Sequence, residues 1–213
     1  MDSRFSRLLE AVQPHYDNGD PGHDFAHVRR VMNAARRIAE DVGADLNIVM
    51  PAALLHDVIN VPKNSPDRMA ASAKASEAAK VHLRAADYVE AEIERICTVI
   101  LEHSYSLGKA PSSLESAVMQ DADRLDALGA VGMMRTTSCG VKMGARYYDP
   151  AEPIAQTRAL DDKLNTLDHV YVKLIKLEAK MNTEIGKREA KRRTDFMLAF
   201  MTQVESEIDG RFV

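Results

Sequence analysis

The chain has 213 residues, no tryptophan, and only five phenylalanines and six tyrosines. A β-sandwich core leans on aromatic and β-branched side chains, so this palette, rich in Ala, Leu, Ile and Met, favours helix-on-helix packing. Two cysteines are present, Cys97 and Cys139, and they form no CxxC pair. Cys97 falls on an apolar helical stripe, which predicts a buried, reduced thiol. There is no excess of positive charge: 28 basic residues stand against 32 acidic ones, a formal net charge of −4. Nothing global therefore holds a nucleic-acid duplex by its phosphates, although a local basic patch could serve a small phosphorylated molecule. No run approaches the ~18 consecutive apolar residues a membrane span needs. The opening MDSRFSRLLE mixes acid with arginine, unlike a secretory signal. A soluble cytoplasmic protein with no membrane partner is the expectation.

What is present is helical periodicity. Phe5, Leu8, Leu9 and Val12 trace one face, and Val28, Val31, Ala35 and Ile38 trace another within a helix over 24–41. Ala52-Ala53-Leu54-Leu55 runs into His56-Asp57, in a helix that either starts near Pro51 or is kinked there. A helix is predicted from Pro66 to about Arg84, and Ile93, Ile96, Cys97 and Ile100 mark a fifth. Residues 113–127 and 129–139 supply two more. Val170, Leu174, Leu177 and Met181 form a stripe, and Phe196, Phe200 and Val204 belong to a last helix with a solvated basic run, Lys191-Arg192-Arg193. Between Gly140 and Leu160 the period fails, as in a mobile loop or lid. No strand alternation or repeat is evident. The fold class is all-α, a single-domain helical bundle over residues 1–213, with the exposed faces of the last two helices leaving a homodimer open.

Three places carry chemistry. His27 shares the inward face of its helix with Val31 and Ile38. His56-Asp57 sets an imidazole and a carboxylate at the end of a core run, where an acid asks for a cation or a donor network. Asp121-Ala122-Asp123-Arg124-Leu125-Asp126 packs three carboxylates into six residues, with Asp123 and Asp126 on one face. Two imidazoles and two carboxylates from three helices suit a divalent metal, and mixed nitrogen and oxygen donors favour Mn, Fe, Co, Ni or Zn over Ca.

The segments His23-Asp24-Phe25-Ala26-His27, Leu54-Leu55-His56-Asp57 and Asp121-Ala122-Asp123-Arg124-Leu125-Asp126-Ala127 together resemble the ordered H…HD…D signature of the HD-domain superfamily. The likeness is greatest to small stand-alone bacterial HD hydrolases and runs over roughly residues 20–205, including Asp168-His169 and Met181-Asn182-Thr183. It implies His27, His56, Asp57 and Asp123 as ligands of one divalent ion (Mn, Mg, Fe, Co, Ni or Zn), a mononuclear site rather than a dinuclear one. It implies a phosphohydrolase, in which the ion lowers the pKa of a bound water and polarises a phosphoryl oxygen. The base that steers the water is left between Asp126 and the His23/Asp24 pair, whose alternative roles are hydrogen bonding and helix capping. Val58-Ile59-Asn60-Val61 replaces the glutamate that some nucleotide-cleaving relatives carry after the HD pair.

On the substrate side the resemblance implies Lys63, Arg68 and Ser72 as phosphate contacts, Arg68 through its planar fork. It places His103 against the phosphate or the leaving group, and His169 and Lys173 near the pocket. The expected substrate is a small phosphorylated metabolite. A nucleoside or deoxynucleoside triphosphate, cleaved to the monophosphate and pyrophosphate, is favoured. Nucleotide monophosphatase and phosphodiesterase activities are enzyme alternatives. A catalytically silent nucleotide-binding regulator and a purely structural bundle are rivals of other classes.

Overall fold

A computed structural model describes residues 3–16, 24–59 and 70–211. Among them the fold is all-α: α1 (Ser3–Val12), α2 (Phe25–Val42), α3 (Leu46–Leu55), α4 (Ala71–Ala85), α5 (Glu90–Glu102), α6 (Leu114–Asp126), α7 (Gly129–Lys142), α8 (Asp168–Val172) and α9 (Glu184–Ile208). Short 3-10 turns follow α1, α5 and α8. The chain divides into two compact units, one reaching Asp123 and the other starting at Arg124.

In the first unit α3 packs against both α2 and α5, and α4 against α5. Eight consecutive residues of α3, Ile48 to Leu55, are buried. A helix that is apolar all round belongs in the middle of a core. Each such side chain contributes about 1.5–3 kcal/mol on leaving water. Of the two readings left open at Pro51, a helix start there is ruled out: α3 starts at Leu46, because the Asp45 carboxylate caps it by accepting from the Asn47 N–H at 3.0 Å. Pro51 thus sits inside the helix. α2 ends at Gly43, whose φ of +76° is the left-handed geometry that closes a helix, with the Gly43 and Ala44 N–H groups both donating to the Ala39 carbonyl. Cys97 is buried and free, and its thiol donates to the Ser76 carbonyl at 3.3 Å.

In the second unit α7 packs on α9. The side chains that α9 buries are Gly186, Ala190, Thr194, Met197 and Met201, whereas Phe196 and Phe200 are exposed. The two phenylalanines therefore lie off the buried stripe, which small residues and two methionines fill. Val170, Leu174, Leu177 and Met181 are all buried, but across α8 and a 3-10 turn rather than one regular helix. The basic run is tied down on the surface, Lys191 to Asp195 and Arg192 and Arg193 to Glu189.

The segment without period is organised by polar bonds. Arg146 exchanges backbone hydrogen bonds with Leu164 and Thr166, and Glu152 accepts from the N–H groups of Gln156, Thr157 and Arg158. No helix among the described residues is long and apolar enough to cross a membrane.

Candidate metal centre

His27 sits in the first turn of α2, where its own N–H donates to the Asp24 carboxylate at 2.8 Å. That bond fixes the start of the helix and aims the His27 ring inward. His56 follows the last residue of α3, and its Nδ1–H donates to the Ala53 carbonyl at 2.9 Å. His103 repeats the device after α5, with Nδ1 2.6 Å from the Ile100 carbonyl. Carbonyls in a last helical turn have no partner along the helix, and here an imidazole takes the place of one. Each bond settles the tautomer: with Nδ1 protonated, Nε2 carries the lone pair. α6 delivers Asp123 from a helix anchored by buried Val118, Met119 and Ala122.

These pieces converge. The Nε2 atoms of His27 and His56 are 3.2 Å apart. Asp57 Oδ2 lies 3.6 Å from the first and 3.5 Å from the second, and Asp123 Oδ1 lies 3.8 and 3.9 Å from them. Donors held about 2.1 Å from one ion stand roughly 3.0–3.4 Å from each other, so the cluster has close to the spacing that coordination requires. His27, His56 and Asp57 alone form a group that could hold a metal. Burial holds the His56 imidazole down at about 4, so its ring is neutral near pH 7 and available as a ligand. Burial works to raise the Asp57 and Asp123 carboxyls, yet the facing imidazoles keep both below the usual range, as carboxylates. Two imidazoles, the His56 ring neutral, and two carboxylates fit a divalent cation with open positions.

The other expected residues are distributed as follows. Asp24 caps α2. Ser72 is buried in the first turn of α4, and its hydroxyl finds no partner among the described residues. His103 is buried beside the cluster, its ring edge-on to His56 at 5.2 Å and its Nε2 4.0 Å from Asp57 Oδ1. Asp126 lies in the second unit, buried, and accepts from Arg135 at 2.6 Å. His169 and Lys173, also there, are half-buried, and His169 Nδ1 is 2.7 Å from Asp162 Oδ2. His23, Lys63 and Arg68 lie outside the described residues. His15 and His82 meet edge-on at 5.0 Å.

Some residues around the cluster gave no sequence signal. Tyr16 is buried and donates its hydroxyl to the Leu54 carbonyl, and burial together with the Asp57 charge pushes its pKa well up. Gln120 reaches from α6 to the Glu102 and Lys109 carbonyls at 2.8 and 3.0 Å, bracing the chain next to His103.

The family model of the HD domain matches residues 24–128. The chain is 34% identical over 203 residues to the Bacillus subtilis protein YpgQ, covering 93% of this chain and 91% of that one. The crystal structure of YpgQ in complex with ADP superposes with a TM-score of 0.74, covering 96% of this chain and 94% of the other at 29% identity. An HD-superfamily hydrolase from Bacillus thuringiensis gives a TM-score of 0.72 at 32% identity, covering 97% of each chain.

Proposed function

Because the chain belongs to the HD-domain family of metal-dependent phosphohydrolases, we propose that it hydrolyses a nucleoside or deoxynucleoside triphosphate to the monophosphate and pyrophosphate. The observation that carries this is the convergence of His27, His56 and Asp57 as a group that could hold a metal, with Asp123 3.8 and 3.9 Å from the two imidazole nitrogens. These four would hold one divalent ion, Mn, Mg, Fe, Co, Ni or Zn. Such an ion, when bound, acidifies a coordinated water and polarises a phosphoryl oxygen. The oxygen of water forms a bond to the α phosphorus, the bond from the α phosphorus to the α–β bridging oxygen breaks, and pyrophosphate leaves with that oxygen while the water's proton passes to solvent.

The ADP complex of YpgQ supports a nucleotide ligand. Lys63, Arg68 and Ser72 serve as phosphate contacts in this reading, with His169 and Lys173 toward the rest of the substrate. Asp24 is spent on capping α2 and Asp126 on Arg135, which weakens both as the base. Residues 140–160 act as a lid on one HD-type domain, and the protein works in the cytoplasm. Unchanged protease cleavage of 140–160 with and without nucleotide would count against the lid.

The test is release of pyrophosphate and phosphate from a nucleotide panel with Mn²⁺ or Mg²⁺, wild type beside Asp57→Ala. Pyrophosphate from a triphosphate, lost in the variant, is expected. Phosphate alone redirects the reading to a phosphatase, and silence with metal bound removes nucleotides as substrates.

A further inference from the structure

Asp57 turns its two oxygens to different neighbours. Oδ2 faces the His27 and His56 nitrogens at 3.6 and 3.5 Å, on the side where the ion would sit. Oδ1 faces His103 Nε2 at 4.0 Å. His103 Nδ1–H donates to the Ile100 carbonyl, the tautomer that presents a lone pair at Nε2. Two acceptors thus look at each other across 4.0 Å, too far for a direct hydrogen bond and too close to be indifferent. A water about 2.8 Å from each can donate one proton to each. Its oxygen would then lie beside the ligand cluster with its own lone pairs turned away from both acceptors. The ring has little freedom to leave this pose, since it is 7% exposed, pinned at Nδ1 and packed edge-on against His56.

We propose that His103 is a further catalytic residue: its Nε2 and Asp57 Oδ1 form a two-acceptor cradle that orients the attacking water. This rests on the hydrolytic reading of the same cluster and gives His103 a role distinct from a phosphate contact. An orienting group acts on the barrier and leaves substrate binding alone, so its loss appears in kcat rather than KM.

Two substitutions separate the ring's halves. His103→Asn keeps an amide donor where Nδ1 meets the Ile100 carbonyl and removes the acceptor. His103→Gln places an amide oxygen where Nε2 stands. With Mn²⁺ and each of the four deoxynucleoside triphosphates, His103→Asn should lose about 100-fold in kcat with KM within about threefold, and His103→Gln should recover about tenfold of that loss. Both should retain the wild-type melting temperature and one Mn²⁺ per chain by elemental analysis. A rise in KM at constant kcat overturns the proposal in favour of a phosphate contact. Two ions per wild-type chain, falling to one in His103→Asn, overturns it in favour of a metal ligand. A crystal structure of the Mn²⁺-loaded protein decides independently of turnover. An ordered water within hydrogen-bond reach of both Nε2 and Oδ1 supports the cradle, and a second ion or direct closure of the two atoms sinks it. If the wild type releases no pyrophosphate but that water is present, the triphosphate reading fails and the cradle stands.

Discussion

Asp57 in the first unit and Asp168 in the second are both carboxylates set among buried side chains, and they are satisfied in opposite ways. Asp168 receives both Arg158 Nη groups at 2.6 and 2.7 Å, the Asp161 N–H at 2.7 Å and the Asn165 amide at 3.3 Å. Its charge is neutralised by a planar fork and its lone pairs are filled. Asp57 faces imidazole nitrogens at 3.5 to 4.0 Å. At least one of those rings is neutral near pH 7, since burial holds His56 at about 4. A buried charge is retained only where something compensates it. The second unit supplies that compensation from its own chain, and in the proposed reading the first takes it from a cation.

The largest test of this contrast is Asp57→Asn against Asp168→Asn. Asp57→Asn should lower turnover by at least about a thousandfold and abolish the rise in melting temperature that Mn²⁺ gives the wild type. Asp168→Asn should keep one Mn²⁺ per chain and instead lose stability with or without metal. The loss should be about 2 kcal/mol, below the 3–5 kcal/mol of a fully buried pair because the Arg158 side chain keeps 19% exposure. Calorimetry would show this as a fall of about 4–8 °C. If the two substitutions behaved alike, the contrast between the two regions would be wrong.

Acid sharpens the contrast in the metal-free protein. Below about pH 6.5 the unfolded chain takes up a proton on His56, which the folded chain refuses until about pH 4. The unfolded state binds more protons across that window, so stability is fully present above pH 6.5 and drains as pH falls toward 4. His56→Gln should flatten this loss in chelator-treated protein, read as melting temperature against pH. An unchanged slope would mean that His56 is not held neutral by the fold.

The sequence made some of this legible and hid the rest for definite reasons. The i, i+3, i+4, i+7 spacing of Ile93, Ile96, Cys97 and Ile100 foretold α5, and all four are buried. The ordered histidines and aspartates of the cluster could be named because each sits at a helix end or on an inward face. On α9 the buried face was not named: Phe196 and Phe200 placed the helix but are exposed, while Ala190, Thr194, Met197 and Met201 are buried. Residues 140–160 showed no period because Glu152, Arg146 and Arg158 hold them by side-chain bonds that follow no helical or strand repeat. The imidazole-to-carbonyl bonds of His56 and His103 were beyond sequence altogether, since a histidine after a helix can point anywhere until its last-turn carbonyl claims Nδ1.

Asp24 offers the smallest effect and a third way of satisfying a carboxylate, by a backbone N–H. It accepts from His27 at 2.8 Å, which is the bond of an N-cap, and the same residue was a candidate base. The two roles part under substitution. Serine caps a helix about as well as aspartate, and alanine does not. If Asp24 acts through the cap, Asp24→Ser keeps turnover near wild type while Asp24→Ala loses about 1 kcal/mol, roughly 2–4 °C in melting temperature. It should also lose a few-fold in metal affinity, because the bond that seats the first turn of α2 also aims His27. If it is the base, serine and alanine are equally damaging to kcat and equally harmless to metal affinity. The capping geometry favours the first pattern, in which Asp24 serves the metal centre by holding a ligand in place rather than by taking a proton.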